Sequence, residues 1–408
     1  MALKFPIFMD AQSTTPVDRR VVETMIPYFT EKFGHPACRN HSFGWEAESG
    51  VDTVRAQVAK LVGARDPKEI VFTSGGTESI NLAIKGVAEM YREKGNHIVT
   101  TAIEQRAGLD VCKRLERQGF EVTYVPVQPD GLVDLEAIRA AITDKTILIS
   151  VMFANNEIGV IQDVAAIGRL AKDKGILFHT DATQAFGKVR IDVDKMGIDL
   201  LSCTAHLIYG PKGVGALYVR RKGPRVRIAP LMDGGGHERG MRSGTLPVPL
   251  IVGFGKAAEL CDQEMEAEGQ RLAKLRDRLQ EMILASVDEA YLNGKPDRRL
   301  PGNLNISFAY VEGESVLMGL NKETALSSGS ACTSSTLEPS YVIGALGASA
   351  ELAHSSIRFS LHRFTTAEEV EYVGQRTIEV IKRLRDMSPL YELAKEGVDL
   401  KSIQWKGE

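Results

Sequence analysis

The chain has 408 residues and a formal net charge of −3. This length can bury a large core, so we expect two domains, or one large domain with a smaller one appended. The near-neutral charge argues against a broad basic surface, and no nucleic-acid partner is expected. No apolar run approaches the roughly 20 residues that span a bilayer and the start does not resemble a signal peptide, so we expect a cytoplasmic protein without a membrane partner.

The first half of the chain alternates between strand and helix patterns. A helix is predicted over residues 47–61, followed by a strand over 69–73 that leads into a glycine-rich helix start at 74–84. The alternation continues with strands at 97–101, 121–127, 147–153, 176–180, 199–204 and 215–219 and helices at 109–118, 135–142 and 164–174. Strands separated by helices of this length predict parallel βαβ units, hence an α/β protein with a mainly parallel sheet.

The second half has a different pattern. A long helix at 253–284 is predicted to link the large domain to a smaller α+β domain. In that smaller domain we expect strands at 304–309 and 356–361, helices at 314–320 and 367–387, and a polar loop at 327–335.

The cysteines are five in number and widely scattered, with no CxxC pair, so neither a disulfide framework nor a zinc site is indicated. Cys332 stands out because it lies among small polar residues in the predicted loop, where a packing cysteine is unusual. An accessible thiol there suits nucleophilic attack, sulfur carriage or metal ligation.

Three turns offer contacts of the type that phosphate groups use. They contain Gly76 with Thr77, Thr204 with His206, and Thr245 in the run 239–245. The first of them opens a helix, whose N-terminal N–H groups favour an anion. Each turn alone is weak evidence, since glycine and hydroxyl residues also form ordinary loops.

Other polar residues follow or interrupt apolar strands. Asp181 comes directly after a strand, and its carboxylate needs either a cationic partner or a helix N-terminus to cap. Asn156 could serve a polar ligand or an ordinary turn. Arg358 interrupts an apolar strand, where it would bind a substrate carboxylate or form a buried ion pair.

In this order, the motifs resemble those of cysteine desulfurases of the IscS/NifS type, within the class V aminotransferase-like enzymes that use pyridoxal 5′-phosphate (PLP). The similarity covers essentially the whole chain. It is carried by residues 9–10, 14–16, 73–75, 155–159, 209–213, 234–240, 327–333 and 398–405.

The resemblance implies a PLP-dependent transferase of fold type I that forms a homodimer. Its large PLP-binding domain would comprise residues 16–262. Its small domain would combine residues 1–15 with 263–408 and carry both the Cys332 loop and a C-terminal segment, ending near Trp405, that binds an iron–sulfur scaffold protein of the IscU type.

The resemblance also implies the roles of individual residues. Asp181 would hold the pyridinium nitrogen of PLP and Gln184 the ring hydroxyl, while Asn156 and Arg358 would hold the carboxylate of L-cysteine. Cys332 would accept the sulfur as a persulfide, leaving alanine. The phosphate would be bound by Gly76, Thr77, Thr204 and His206, with Thr245 supplied by the partner subunit.

Two departures from the family pattern concern the reacting groups. Leu207 follows His206 at the position of the lysine that forms a Schiff base with PLP, and Gln105 replaces the histidine that stacks on its ring. Leucine can neither form an imine nor move a proton, so any PLP would be held non-covalently.

These departures leave three alternatives. The chain is a desulfurase that uses another base, or a non-catalytic homologue that binds a scaffold protein and offers Cys332 as a sulfur acceptor or cluster ligand. In the third alternative, position 207 is naturally a lysine and the leucine results from an alteration of the sequence, which would leave Gln105 unexplained. We expect PLP chemistry to be impaired.

Overall fold

The structure is a computed structural model that describes residues 3–328 and 338–396. Its largest element is a seven-stranded sheet in the order β2-β8-β7-β6-β5-β3-β4. All neighbouring pairs are parallel except those of β8, which runs antiparallel to both β2 and β7. The strands are β2 (Ile70–Thr73), β3 (His97–Thr101), β4 (Glu121–Val125), β5 (Thr146–Ser150), β6 (Leu177–Asp181), β7 (Leu200–Thr204) and β8 (Gly215–Val219).

A second sheet lies in the C-terminal half and contains four strands in the order β12-β13-β10-β9, all antiparallel. The N-terminal strand pairs in parallel with β11 beside it. These strands are β1 (Ile7–Phe8), β9 (Ala290–Leu292), β10 (Asn303–Phe308), β11 (Thr324–Ala325), β12 (Ser327–Ser328) and β13 (Ser356–Ser360).

Helices cover both faces of the large sheet and one face of the small one. In the large-sheet part they are α1 (Arg19–Met25), α2 (Pro27–Thr30), α3 (Ser42–Val62), α4 (Gly76–Met90), α5 (Arg106–Glu116), α6 (Leu135–Ala141) and α7 (Val164–Asp173). The remainder are α8 (Val248–Ser286), α9 (Gly313–Leu320), α10 (Tyr341–Ala345), α11 (Ala350–His354), α12 (Ala367–Asp386) and α13 (Pro389–Lys395).

Helix α8 joins two apolar cores. Its N-terminal half, up to Met265, packs into the core on one face of the large sheet, and from Leu272 onward it packs into the core of the small sheet. A third core, which includes Ile80 and Leu82 of α4, covers the opposite face of the large sheet. The 39-residue helix is therefore the continuous element between the two halves of the fold.

The structure confirms the predicted α/β class with a mainly parallel sheet, and most elements lie within a few residues of their expected bounds. The strand expected over 147–153 ends at Ser150, and the helix expected over 109–118 begins at Arg106. The prediction of a loop from residue 327 is wrong for Ser327 and Ser328, which pair with β13. Cys332 and Trp405 lie outside the described residues, and the proposed domain boundaries stay predictions.

No helix in the described ranges is both long enough and apolar enough to cross a lipid bilayer.

Candidate functional site

Strands β2 and β7 end at the same edge of the large sheet, on either side of the start of β8. The loops that follow them, together with the N-terminal segment, enclose a cavity of about 330 Å³. Thr77 and His206 line it from the two loops, Ser13 and Thr14 from the N-terminal segment, and Lys212 from the turn before β8. An opening at the carboxyl ends of parallel strands is the usual ligand position in an α/β sheet.

The turn before α4 lies unusually close to the polar residues opposite it. A Cβ atom at Gly76 would lie 2.7 Å from Cγ2 of Thr183, and one at Gly75, where φ is 150°, would lie 3.9 Å from Oγ1 of Thr204. That Thr204 oxygen is buried and has no hydrogen-bond partner within residues 3–328 and 338–396. A buried hydroxyl without a partner beside a helix N-terminus fits an anionic ligand that completes its hydrogen bonding.

His206 is held by the N-terminal segment. Its carbonyl oxygen accepts hydrogen bonds from the backbone N–H and the hydroxyl of Thr15, and its Nδ1 lies 3.3 Å from the hydroxyl of Thr14. Burial, with smaller contributions from Lys212 and Lys188, lowers the pKa of the His206 ring. The ring is therefore neutral near pH 7, and it can donate only one hydrogen bond at a time.

Leu207 follows in the same turn and is only 4% exposed. It belongs to none of the apolar cores formed by the described residues, although its neighbours Ala205 and Ile208 do. Leu207 is therefore buried beside the large-sheet core without being part of that cluster.

Asp181 closes β6 and is buried. One carboxylate oxygen accepts the backbone N–H of Thr183, and the described residues provide no lysine or arginine partner. Burial raises the pKa of Asp181 to about 6. A cationic group on a ligand would restore a low pKa and stabilise the carboxylate, as a protonated pyridine nitrogen does.

Gln184 and Lys188 follow Asp181 in the segment after β6. The Gln184 side-chain amide donates to the carbonyl oxygen of Gln12 at 2.9 Å, and its oxygen lies 3.4 Å from Nζ of Lys188. Burial lowers the pKa of Lys188 to about 8. Lys188 borders a separate cavity of about 40 Å³ between the two halves of the fold, away from the loop after β2.

Asn156 and Arg358 meet on the other side of the site. One guanidinium nitrogen of Arg358 donates to the Asn156 carbonyl at 2.8 Å, and another donates at 2.7 Å both to Asp10 and to the hydroxyl of Ser13. The buried ion pair considered for Arg358 is thus present, with Asp10 as its partner. Its Nε and the side-chain oxygen of Asn156 are buried and find no partner among the residues that the structure describes, so both can still serve a ligand.

Gln105 occupies the N-cap position of α5, beside Glu104, without a side-chain capping hydrogen bond. Its side-chain oxygen is buried and has no partner in the described part of the chain, whereas the Glu104 carboxyl accepts hydrogen bonds from Thr101 and from the N–H of Met152. Burial raises the pKa of Glu104 to about 8. Glu104 therefore connects the loops after β3 and β5, and Gln105 provides an amide where a ring was expected from the family pattern.

Among the predicted site residues that the structure describes, Gly76, Thr77 and His206 line the cavity and the others do not. Thr245 is exposed and does not line it, so its expected contribution from a partner subunit stays a prediction. Glu157 forms a hydrogen bond with Ser340, just beyond the segment that contains Cys332. Glu157 thereby connects the start of α10 to the loop after β5.

Comparisons with known proteins agree with this architecture. The family described as aminotransferase class-V matches residues 7–373. The chain belongs to this family. A relative called cysteine desulfurase IscS, from Rickettsia bellii, is 56% identical over 403 residues, which is 99% of this chain and 98% of the relative. The chain is therefore a member of the IscS/NifS-type cysteine desulfurases, which are PLP-dependent enzymes.

Solved structures match the chain over most of its length. One titled NifS-like protein is 38% identical and has a TM-score of 0.85, covering 93% of this chain and 100% of the other. Another, titled SspA in complex with cysteine, is 37% identical with a TM-score of 0.78 and covers 88% of this chain and 100% of the other. The fold of this chain is thus the desulfurase fold.

Sequence reasoning did not assign roles to several residues that shape the site. Ser13 and Asp10 contact Arg358, Lys212 lines the phosphate-type cavity, and Glu78 lies at its rim. The three consecutive hydroxyl residues at 13–15 could have indicated the N-terminal wall, because such a run offers several contacts to a polar ligand. No sequence signal joins Asp10 to an arginine 348 residues away.

Proposed function

We propose that this chain binds PLP reversibly, without a covalent link, and that its release of sulfur from L-cysteine is severely impaired. The observation that carries the proposal is the buried leucine at position 207, directly after the His206 that lines the phosphate-type cavity. When bound, PLP supplies an electron sink next to the reacting bond of an amino acid.

The proposal that the chain binds PLP is supported by buried polar groups that have no hydrogen-bond partner among the described residues. The hydroxyl of Thr204, the side-chain oxygen of Asn156 and Nε of Arg358 are buried without hydrogen bonds. Thr77, Thr204 and His206 would hold the phosphate, with Gly76 allowing close approach. Asp181 would hold the pyridine nitrogen and Gln184 the ring hydroxyl. These residues fit a phosphorylated pyridine, and none of them requires Leu207.

L-cysteine would bind through its carboxylate, which Asn156 and Arg358 are placed to receive. Arg358 keeps one buried N–H free in spite of its pairing with Asp10 and Ser13. The sulfur would then pass to the thiol of Cys332, which lies outside the described residues.

The reactive half of the proposal follows from what leucine and glutamine cannot do. Leu207 has no amine, and Gln105 has no group that exchanges a proton near neutral pH. Loss of a positioned base alone raises a reaction barrier by about 3 to 5 kcal/mol. Lys188 and Lys212 approach His206 from other directions, but Lys188 contacts Gln184 and Lys212 belongs to the turn before β8.

The test is alanine release from L-cysteine in the presence of PLP, measured for three forms of the protein. We expect the natural chain to match free PLP, Leu207→Lys to show weak turnover, and Leu207→Lys/Gln105→His to show clear turnover. Cys332→Ser in the double-variant background should remove persulfide formation. Brisk turnover by the natural chain would show that another group acts as the base, and the proposal would be wrong.

We further propose that the protein is a cytoplasmic homodimer, in which Thr245 of each subunit completes the phosphate site of the other. Its partner would be an iron–sulfur scaffold of the IscU type, to which Cys332 is offered as sulfur acceptor or cluster ligand. The retained Cys332 run and the C-terminal residues 398–405 support this proposal. Binding of such a scaffold should survive Cys332→Ser and disappear when residues 398–408 are removed.

A further inference from the structure

Glu78 presents a problem for an anion site. It is the third residue of α4 and lines the same cavity as Gly76 and Thr77. A carboxylate at that position is stabilised by the dipole at the N-terminus of the helix, but it repels a phosphate in the cavity. Phosphate binding therefore depends on what compensates the charge of Glu78.

The compensating group is Arg242. Its Nε donates to one oxygen of Glu78 at 2.9 Å and an Nη donates to the other at 3.3 Å. The backbone N–H of Ser74 donates to the same carboxylate at 2.7 Å. Burial acts to raise the pKa of Glu78, but the hydrogen bonds from Arg242 and Ser74 outweigh it and the pKa is lowered. Glu78 is therefore ionised and paired.

Arg242 acts from outside the cavity. It is not among the residues that line it, and the side chains of Arg242 and Glu78 are only 15% and 14% exposed. A direct contact between Arg242 and a ligand phosphate is thus absent from this arrangement, and any influence on the ligand passes through Glu78.

The loop that carries Arg242 is anchored beneath the site. Glu238 forms a buried two-bond pair with Arg55, both distances being 2.7 Å, and also accepts the backbone N–H of Phe72 in β2 at 2.8 Å. The N–H of Met241 donates to the Glu238 carbonyl, which fixes the approach to Arg242. The strand that leads into the cavity therefore also determines where Arg242 lies.

We propose that Arg242 is a positioning residue for cofactor binding: it neutralises Glu78 and holds that carboxylate against Ser74, so that the N-terminus of α4 can accept a phosphate ester. This inference rests on the proposed PLP site. It assigns to the loop at 238–242 a role in the phosphate site of its own chain, separate from the expected contribution of Thr245 to a partner.

The test is the equilibrium affinity for pyridoxine 5′-phosphate, which carries the phosphate and ring but no aldehyde that could react with surface lysines. We expect Arg242→Gln to weaken binding about tenfold, because an uncompensated carboxylate then faces the phosphate. Glu78→Gln leaves the Arg242 charge unpaired near the phosphate and should bind at least as tightly as the natural chain, whereas Arg242→Gln/Glu78→Gln should bind about as tightly as the natural chain. Affinity for pyridoxine, which lacks the phosphate, should be the same in all four proteins.

A matched control is Arg376→Gln, which removes a similar two-bond pair with Glu323 in the small-sheet part of the protein. It should leave the affinity unchanged. If the double variant bound pyridoxine 5′-phosphate as weakly as Arg242→Gln, the arginine would have only a structural role. If Arg242→Gln bound it as tightly as the natural chain, this inference would be wrong, while the proposed PLP site would stand. Failure of the natural chain to bind the probe would overturn the PLP site and this inference with it.

Discussion

Three carboxyl groups buried around the site hold protons more tightly than usual. Burial raises the pKa of Glu104 to about 8, of Glu157 to about 7 and of Asp181 to about 6. At a pH between its ordinary pKa and this raised pKa, each carboxyl group is protonated in the folded chain and ionised in the unfolded chain. The stability of the folded protein is therefore expected to fall as the pH rises through this range.

Glu104→Gln tests this expectation at one residue. The carboxyl of Glu104 ionises near pH 4.5 when unfolded and near pH 8 when folded, so its contribution favours folding below pH 4.5 and declines between these values. Without that group, the loss of unfolding free energy between pH 5 and pH 8 should be smaller by about 2 to 4 kcal/mol. Urea unfolding at both pH values measures it.

The matched control for that comparison is Glu281→Gln, which removes a carboxylate that is 74% exposed on α8. Its pH dependence should follow the natural chain. If Glu104→Gln also followed the natural chain, Glu104 would be ionised in the folded protein and the assigned direction of its pKa would be wrong.

The sequence could indicate which side chains matter at this scale, but not their partners. Asp181 was expected either to meet a cation or to cap a helix, and it accepts the N–H of Thr183 in the turn after β6. Arg358 was expected to bind a carboxylate, and the one it binds within the chain is Asp10. Such partners depend on how the N-terminal segment crosses the fold, which no local pattern reveals.

At the scale of elements, the main difference between sequence and structure is the direction of β8. Alternating strands and helices predicted parallel units, yet β8 runs antiparallel between β2 and β7. The connection at 205–214 is too short for the crossover that a parallel pair needs. The direction was therefore predictable from loop length, and the reversal places the Leu207 turn and Lys212 at the site edge of the sheet.

Gly215→Ala tests how tightly that edge is packed. A Cβ atom at Gly215 would lie 2.6 Å from the Cys203 carbonyl oxygen and 2.8 Å from Cα of Gly75, and both neighbours are backbone atoms that cannot rotate away. We expect a loss of about 1 to 3 kcal/mol in unfolding free energy, and weaker binding of pyridoxine 5′-phosphate. Chemical unfolding and equilibrium dialysis measure the two effects.

The comparison variant is Gly175→Ala, where the left-handed φ of 68° strains the backbone but no atom lies within 4 Å of the added Cβ. It should lower stability modestly and leave ligand affinity unchanged. Equal affinities for Gly215→Ala and the natural chain would mean that the turn before α4 tolerates displacement, contrary to the packing described.

At the scale of the whole molecule, Arg363 joins the two halves of the fold at the Leu207 turn. From the small-sheet part it donates to Asp18 at 2.9 Å and to Glu268 at 2.8 Å, and its guanidinium lies 4.2 Å from the ring centre of Tyr209. Tyr209 ends the turn that contains Leu207 and also donates to Glu268. The orientation of the turn is therefore coupled to the contact between the halves.

Arg363→Ala should break this junction. The side chain is 9% exposed, and removing it leaves the Glu268 carboxylate partly buried without its cation, whereas Asp18 still pairs with Arg20, so we expect a loss of about 3 to 5 kcal/mol in unfolding free energy. Arg278→Ala removes a half-exposed pair with Glu371 and should cost less than about 1 kcal/mol. Similar losses for both variants, in the same urea titration, would contradict the junction.

The fold as a whole was predictable because its strands and helices have clear periodicity and α8 is long. The small-sheet part was less so, since β1, β11 and β12 have two residues each and depend on pairing between distant segments. For the site, the sequence indicated polar residues that follow strands, of which Gly76, Thr77 and His206 line the cavity, and their roles in binding a ligand stay predictions. The walls of the site were not predictable, because Ser13, Glu78 and Lys212 act through positions that only the folded chain brings together.

We propose that the protein retains the phosphate site for PLP and has lost the covalent link to it. The most direct measurement is borohydride reduction of the chain with PLP, followed by dialysis under unfolding conditions and peptide mass analysis. We predict no stoichiometric adduct on the natural chain, and one adduct at residue 207 in Leu207→Lys. A stoichiometric adduct on a single lysine of the natural chain, at Lys188, Lys212 or elsewhere, would contradict the proposal that PLP binds without a covalent link.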